Sequence, residues 1–225
     1  MENLLYDYHR AQSMADSKDS ADYKLRLYTD AVLAKYDLSH DDFDSIMTVE
    51  KQAFGYDKEA QLVADLLADK TAKPMVSLLA FYKGEAVGHI LFTRAYFDAQ
   101  GAQQMMHILA PLAVKPEYQR QGIGGMLIRA GIERLQEKGS CLVFVLGHKE
   151  YYPKYGFMPD AARLGYPAPY PILEQFSDYW MVQAISPKGF DVDKGKIRCS
   201  DELNKPEHWR DDESDRYFPD SSLLK

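Results

Sequence analysis

Residues 107–147 constrain the fold more than any other part of the chain, because two apolar runs flank one amphipathic helix. The runs HILAPLAV (107–114) and CLVFVLG (141–147) have the length and branched apolar content of buried strands. Between them, residues 122–138 carry apolar side chains at helical spacing on two overlapping stripes. A strand, a helix and a strand in so short a stretch form a βαβ unit, which predicts that the two strands run parallel in one sheet.

Further apolar runs complete the predicted sheet. Residues 75–82 and 86–93 resemble strands joined by a tight hairpin, and residues 179–185 are expected to close the sheet. Two helices precede them, one from about Ser39 to Phe54 and one over 58–67. The predicted fold class is therefore α/β, a mixed sheet flanked by helices.

The division of the chain follows from its composition. Residues 1–22 are predicted to be an N-terminal arm and linker, since 15–22 are small, polar and charged. Residues 23–187 form one predicted domain, because 225 residues suffice for a single core. Residues 188–225, which are charged and interrupted by proline, are predicted to be a surface tail.

Composition argues against several classes of function. A formal net charge of -7 disfavours a nucleic-acid partner, because phosphate neutralisation requires clustered Lys and Arg. Two cysteines are too few for a disulfide framework or a four-cysteine zinc site, and no metal is expected. The apolar runs are too short to span a membrane, and the N-terminus lacks the pattern of a secretory signal. We therefore expect a cytoplasmic protein with no membrane partner.

A glycine-rich turn follows the 107–114 run and opens the helix. Pro116 ends the strand, and glycines stand at 122, 124 and 125. The first N–H groups of a helix have no partner within it and point out of its positive end, so this start is typical of an anion site. Glycine lets a ligand approach those amides, and Gln119 and Arg120 add side-chain donors.

Two common phosphate-binding motifs do not match this turn. A P-loop requires Gly-Lys-Ser/Thr, where this chain has Gly125 followed by Met126. A dinucleotide fingerprint requires a third glycine at position 127, which is Leu. A helix that merely begins with flexible glycines remains an alternative on this motif alone.

Pro111 lies inside the strand that leads to this turn. A proline cannot donate to a ladder of hydrogen bonds, so its presence predicts a bulge or a splay between neighbouring strands. The backbone of residues 112–114 would then be free to bind an extended ligand that carries amides, such as pantetheine, in the manner of an added strand.

The combination of Leu112-Ala113-Val114 with Gln119-x-x-Gly122-x-Gly124 resembles the acetyl-CoA signature of the GNAT superfamily of N-acetyltransferases. The resemblance extends from about residue 31 to 185 and implies a splayed sheet that binds acetyl-CoA as co-substrate. It implies that pantetheine and the thioester carbonyl lie along Leu112, Ala113 and Val114. It also implies that the pyrophosphate is held by Gln119, Arg120, Gln121, Gly122, Ile123, Gly124 and Gly125.

A second motif is similar to the same family. Many GNAT enzymes have a tyrosine four residues before a Gly-Phe pair, and Tyr152 holds that position before Gly156 and Phe157. A departing thiolate gains from such a proton donor. Many relatives have an Asn after the preceding strand, where this chain has Gly147-His148. The stretch is similar to a bacterial subgroup whose acceptor is not defined.

The base that removes a proton from the acceptor is predicted from burial. An alkylamine has a pKa of about 10, so a proton must leave before it can attack. Glu50 lies on the apolar stripe of the first predicted helix, where a carboxylate needs a partner or a purpose, and it is the candidate catalytic residue beside Tyr152. Structural roles are expected for His107 and His148, and a water chain without a dedicated base is also possible.

The predicted activity is transfer of an acetyl group from acetyl-CoA to a primary amine by direct attack in a ternary complex. The alternative is a non-catalytic sensor of acyl-CoA, against which the presence of Tyr152 argues. The expected acceptor is a small-molecule or peptide amine, and the expected assembly is a monomer or a homodimer.

Overall fold

The computed structural model describes residues 5–6, 23–29, 40–98 and 104–209 of the chain. Within these residues eight strands form one sheet in the order β1 to β7, and β8 pairs with β4. All neighbours are antiparallel except β5 and β6, which run parallel as predicted. The strands are β1 (Leu5–Tyr6), β2 (Tyr23–Thr29), β3 (Val76–Tyr82), β4 (Glu85–Phe97), β5 (Met106–Val114), β6 (Leu142–Leu146), β7 (Trp180–Ala184) and β8 (Ile197–Cys199).

The helices cover both faces of this sheet. They are α1 (His40–Phe54), α2 (Lys58–Ala68) and α3 (Ile123–Glu137). One apolar core lies between the sheet and α1, α2 and the C-terminal segment, and a second lies between the sheet and α3. The predicted α/β class, with a mixed sheet flanked by helices, is confirmed; the expected start of α1 at Ser39 lies outside the described residues.

The predicted splay is present at Pro111. The register of β4 and β5 shifts between Ile90 and Phe92, so that β5 carries one extra residue there. The pairing of β5 with β6 ends at Ile108 and Phe144, although both strands continue. Residues 109–114 therefore have no strand partner on the β6 side within the described chain, which leaves this backbone edge open to a ligand.

The C-terminal segment differs from the predicted surface tail. Residues 197–199 form β8, and Leu203 and Trp209 are buried in the core on the α1 side. The physical reason is that pairing with β3 stops at Phe92, although β4 continues to Phe97. Strand β8 pairs with residues 95–97 of β4, which β3 does not reach. Residues 210–225 lie outside the described chain, as does the predicted arm apart from β1. Strand β2 was not predicted.

In the part of the chain that is described, no helix is both long and apolar enough to cross a membrane.

Candidate active site

The start of α3 presents a cluster of backbone donors. Gly122 is the N-cap residue with φ of 86°, a left-handed conformation that favours glycine. The first bond within the helix runs from the Met126 N–H to the Gly122 carbonyl at 3.0 Å. The N–H groups of residues 123–125 therefore have no partner in the helix and lie at its positive end, as an anion site requires.

Two predicted side-chain donors are used to shape the loop instead. The Gln119 amide donates to the Val114 carbonyl at 3.0 Å, and the Gln121 amide donates to the Glu117 carbonyl at 2.9 Å. Gln119 thus ties the turn to the end of β5. Arg120 is exposed at φ of 60°. A role for these three residues in phosphate binding stays a prediction. The backbone N–H groups at the start of α3 are better placed to donate to a phosphate.

Two tyrosine side chains exclude any residue larger than glycine at positions 124 and 125. A Cβ atom at Gly124 would overlap the Tyr151 hydroxyl, and one at Gly125 would lie 2.5 Å from the Tyr155 hydroxyl oxygen. The same position at Gly124 is 3.6 Å from Leu112 Cδ2. The glycines therefore serve close packing between α3, β5 and the 151–155 turn, in addition to any approach by a ligand.

Tyr152 lies between that turn and the end of β6. Its ring packs on Gly147 so closely that a Cβ there would overlap it, which gives a physical reason for glycine at this position. The ring is 8% exposed and makes edge contacts with Tyr151 and Phe157 at centroid distances of 5.2 and 5.6 Å. Burial raises the pKa of Tyr152 above its ordinary value, so the hydroxyl stays protonated at neutral pH.

Glu50 is fully buried and bound to a histidine. His89 Nδ1 lies 2.5 Å from Glu50 Oε1 and donates to it, because a carboxylate can only accept. The Ser77 hydroxyl lies 2.9 Å from His89 Nε2, the nitrogen that is then left to accept. The predicted location of Glu50 on an apolar helix face is confirmed, and its partner is His89 rather than Lys or Arg.

Burial raises the pKa of Glu50, and the hydrogen bond from His89 acts in the opposite direction. The second carboxylate oxygen, Oε2, is buried without a hydrogen-bond partner in the described chain. His89 is the register partner of Ala113 on β5, so the pair lies next to the segment predicted to bind the thioester.

His107 and His148, which the sequence analysis considered, have less direct links to this site. His107 Nε2 donates to the Pro74 carbonyl at 3.1 Å, and Ser140 lies 2.9 Å from Nδ1. Burial lowers the pKa of His107 to about 4, so it is neutral and structural, as expected. His148 is half-buried, burial lowers its pKa, and its carbonyl accepts from the 151 and 152 amides. Across the described ranges, no three potential metal ligands cluster together.

Sequence reasoning missed four residues of this site. Tyr151, Tyr155, Ser77 and His89 are not among the site residues that the sequence predicted. A signal for the latter two was available: both are polar residues inside strongly apolar strand runs, where a buried polar group requires a partner.

A charge placed at Gly122 tests the backbone anion site. We expect Gly122→Asp to bind acetyl-CoA about tenfold to a hundredfold more weakly than Gly122→Asn, because its carboxylate repels the pyrophosphate. Both residues tolerate positive φ, and no atom lies within 4 Å of the position that a Cβ would take. Both side chains can also cap the helix, so the pair differs mainly in charge. Calorimetry measures the two affinities, and equal values in folded variants would contradict the site.

Comparison with known proteins shows what this chain is similar to. The profile of the acetyltransferase (GNAT) family matches residues 41–157. The uncharacterized N-acetyltransferase YjhQ of Escherichia coli is 56% identical over 160 residues, which are 71% of this chain and 88% of YjhQ.

Two solved structures have a similar fold. The GNAT N-acetyltransferase YhbS of Escherichia coli, in complex with CoA, aligns with a TM-score of 0.66 at 24% identity over 80% of this chain and 92% of that one. A GNAT acetyltransferase from Brucella melitensis, in complex with acetyl-CoA, aligns with a TM-score of 0.58 at 26% identity over 80% of this chain and 97% of that one.

Proposed function

The chain belongs to the GNAT family of acetyltransferases, and on this premise we propose that it moves the acetyl group of acetyl-CoA to a primary amine by direct attack in a ternary complex. Membership of the family makes the chain an acyltransferase. The observation that carries the mechanism is the open edge of β5 at 109–114, with the amides of α3 at one end and Tyr152 nearby.

Acetyl-CoA suits the shape and chemistry of this edge. The amides at residues 123–125, which have no partner in the helix, suit a pyrophosphate. The β6-facing edge of β5 at 109–114, which has no strand partner within the described residues, suits the amides of pantetheine. CoA and acetyl-CoA are bound in the YhbS and Brucella melitensis proteins, respectively. By extension from those proteins, we assign Leu112, Ala113 and Val114 to the pantetheine and thioester.

Three groups of this chain share the chemical step in our proposal. A backbone N–H near Leu112 polarises the thioester carbonyl as the tetrahedral oxyanion forms. Glu50 accepts the proton of the amine, and Tyr152 gives its proton to the departing sulfur. A buried hydroxyl that keeps its proton across the neutral range is suited to that last task.

The acceptor we propose is a small-molecule or peptide amine that approaches as a cation. A net charge of -7 favours the encounter with a cation, and an unpartnered buried carboxylate oxygen favours an amine at the end of the path. We assign the reaction to the cytoplasm, where the free thiols of Cys141 and Cys199 would remain reduced.

Steady-state kinetics with a panel of amines tests this function. We expect CoA release that depends on both substrates, an acetylated amine by mass spectrometry, and double-reciprocal lines that intersect. Parallel lines with an acetylated enzyme would contradict direct attack. Binding of acetyl-CoA without release of CoA for every amine would instead favour the non-catalytic sensor.

A further inference from the structure

A buried chain of three polar side chains links β3, β4 and α1. Ser77, His89 and Glu50 are each 0% exposed, and they are joined through the two ring nitrogens of His89. Burying three polar groups costs free energy that apolar residues of the same size would not incur. Packing of the core therefore does not explain why these three side chains are polar, and we look for a chemical role instead.

The position of the chain points to the acyl-transfer segment. His89 pairs in register with Ala113, the middle residue of 112–114. Glu50 uses Oε1 for His89, while Oε2 is buried and makes no hydrogen bond within the described residues. This unused acceptor oxygen belongs to a pair whose His89 adjoins Ala113 on the β4 side of β5, and a proton acceptor requires such an unused oxygen.

We propose that His89 is a positioning residue that holds the Glu50 carboxylate ready to take the proton of the acceptor amine, and that Ser77 fixes the tautomer of His89. The inference rests on the proposed acetylation of an amine. The Ser77 hydroxyl donates to Nε2, which leaves the proton of the neutral ring on Nδ1, facing Glu50. The base is then the hydrogen-bonded pair rather than Glu50 alone.

The atoms and protons balance in this step. The cationic amine first gives one proton to solvent. The nitrogen of the resulting neutral amine then forms a C–N bond to the acetyl carbon, one N–H bond breaks, and an O–H bond forms at Glu50 Oε2. The C–S bond breaks, and the sulfur takes the proton of the Tyr152 hydroxyl. The proton on Glu50 then returns through solvent to the Tyr152 oxygen, which restores both residues and leaves CoA and the acetylated amine.

The groups around Glu50 set the expected direction of a pH effect. Burial is the largest influence and raises the pKa of Glu50, His89 on β4 lowers it, and Glu59 on α2 raises it. On β5, His107 is neutral above a pKa of about 4. On α1 itself, Lys51 pairs with Asp57 at 3.0 Å. Among these groups His89 is the one that opposes burial, so its removal raises the pKa of Glu50.

The test compares two substitutions of His89. An Asn side chain places an amide near the position of Nδ1 and can still donate to Glu50, whereas a Gln side chain reaches toward the position of Nε2. We expect His89→Gln to move the acidic limb of kcat/KM to higher pH by about one unit or more, and His89→Asn to move it less. We expect Ser77→Ala to move the acidic limb of kcat/KM in the same direction. This variant replaces His89→Gln in the test if His89→Gln does not fold.

A second readout does not depend on activity. The titration of the Glu50 carboxyl can be followed by carbon NMR, with its signal identified by its loss in Glu50→Gln. We expect the midpoint to rise in His89→Gln in step with the kinetic limb, while acetyl-CoA affinity stays within about twofold of wild type.

Four outcomes would overturn the inference. If neither the acidic limb of kcat/KM nor the midpoint of the Glu50 titration moves, His89 does not influence Glu50. If the midpoint moves and the acidic limb does not, the pair has only a structural role. An acetylated Ser77, found by mass spectrometry, would replace the proton acceptor with a nucleophile. If the wild type acetylates no amine, the proposed function fails and the inference falls with it, and the NMR titration keeps that result distinct from loss of the pair.

Discussion

Tyr152→Phe is expected to lower kcat roughly tenfold to a thousandfold, while the Kd of acetyl-CoA changes little. The substitution removes one hydroxyl and keeps the ring that packs on Gly147 and Phe157. The hydroxyl makes no hydrogen bond within the described chain, so its loss leaves no protein group without a partner. Steady-state kinetics and calorimetry measure the two constants.

A matched control distinguishes an effect on the chemical step from the general effect of removing a tyrosine hydroxyl. Tyr170 donates to the Asn204 carbonyl at 2.8 Å on the C-terminal segment, so Tyr170→Phe removes a hydroxyl outside the proposed site. We expect its kcat to stay within about twofold of wild type. If Tyr152→Phe matches this control under conditions where chemistry limits the rate, Tyr152 is not the proton donor.

Trp180→Ala is expected to lower the free energy of unfolding by about 3 to 5 kcal/mol, because a large buried ring is lost and leaves a cavity. Trp180 is 1% exposed and stacks on Phe144 at a centroid distance of 5.3 Å. It meets Trp209 edge-on at 5.7 Å, and its Nε1 donates to the Tyr166 carbonyl at 2.8 Å. Urea denaturation of the full chain measures the change.

Trp180→Phe isolates the part of this effect that comes from the indole N–H. A phenyl ring keeps the stack on Phe144 but leaves the Tyr166 carbonyl without its donor, so we expect a loss of about 1 to 3 kcal/mol. A loss below about 1 kcal/mol for Trp180→Ala would contradict the packing of its ring between Phe144 and Trp209. A second unfolding transition would show that the C-terminal segment unfolds separately.

The sequence alone determined the features that depend on residues close together in the chain. The βαβ unit, the helix start at Gly122 and the open edge at Pro111 each follow from a short pattern whose physics is local. Resemblance to a GNAT motif singled out Tyr152, and helical periodicity placed Glu50 on a buried face before any contact was known. A role for either residue in the reaction remains a prediction.

The tertiary structure alone decided which distant residues meet. Glu50 and His89 are 39 positions apart, and their contact depends on how α1 lies across β4. The segment 197–199 becomes a strand because β4 extends past β3, an edge that no local pattern in a charged stretch reveals. Long-range register and packing set these contacts, because burying a polar group or adding a strand becomes favourable only when its partner is already in place.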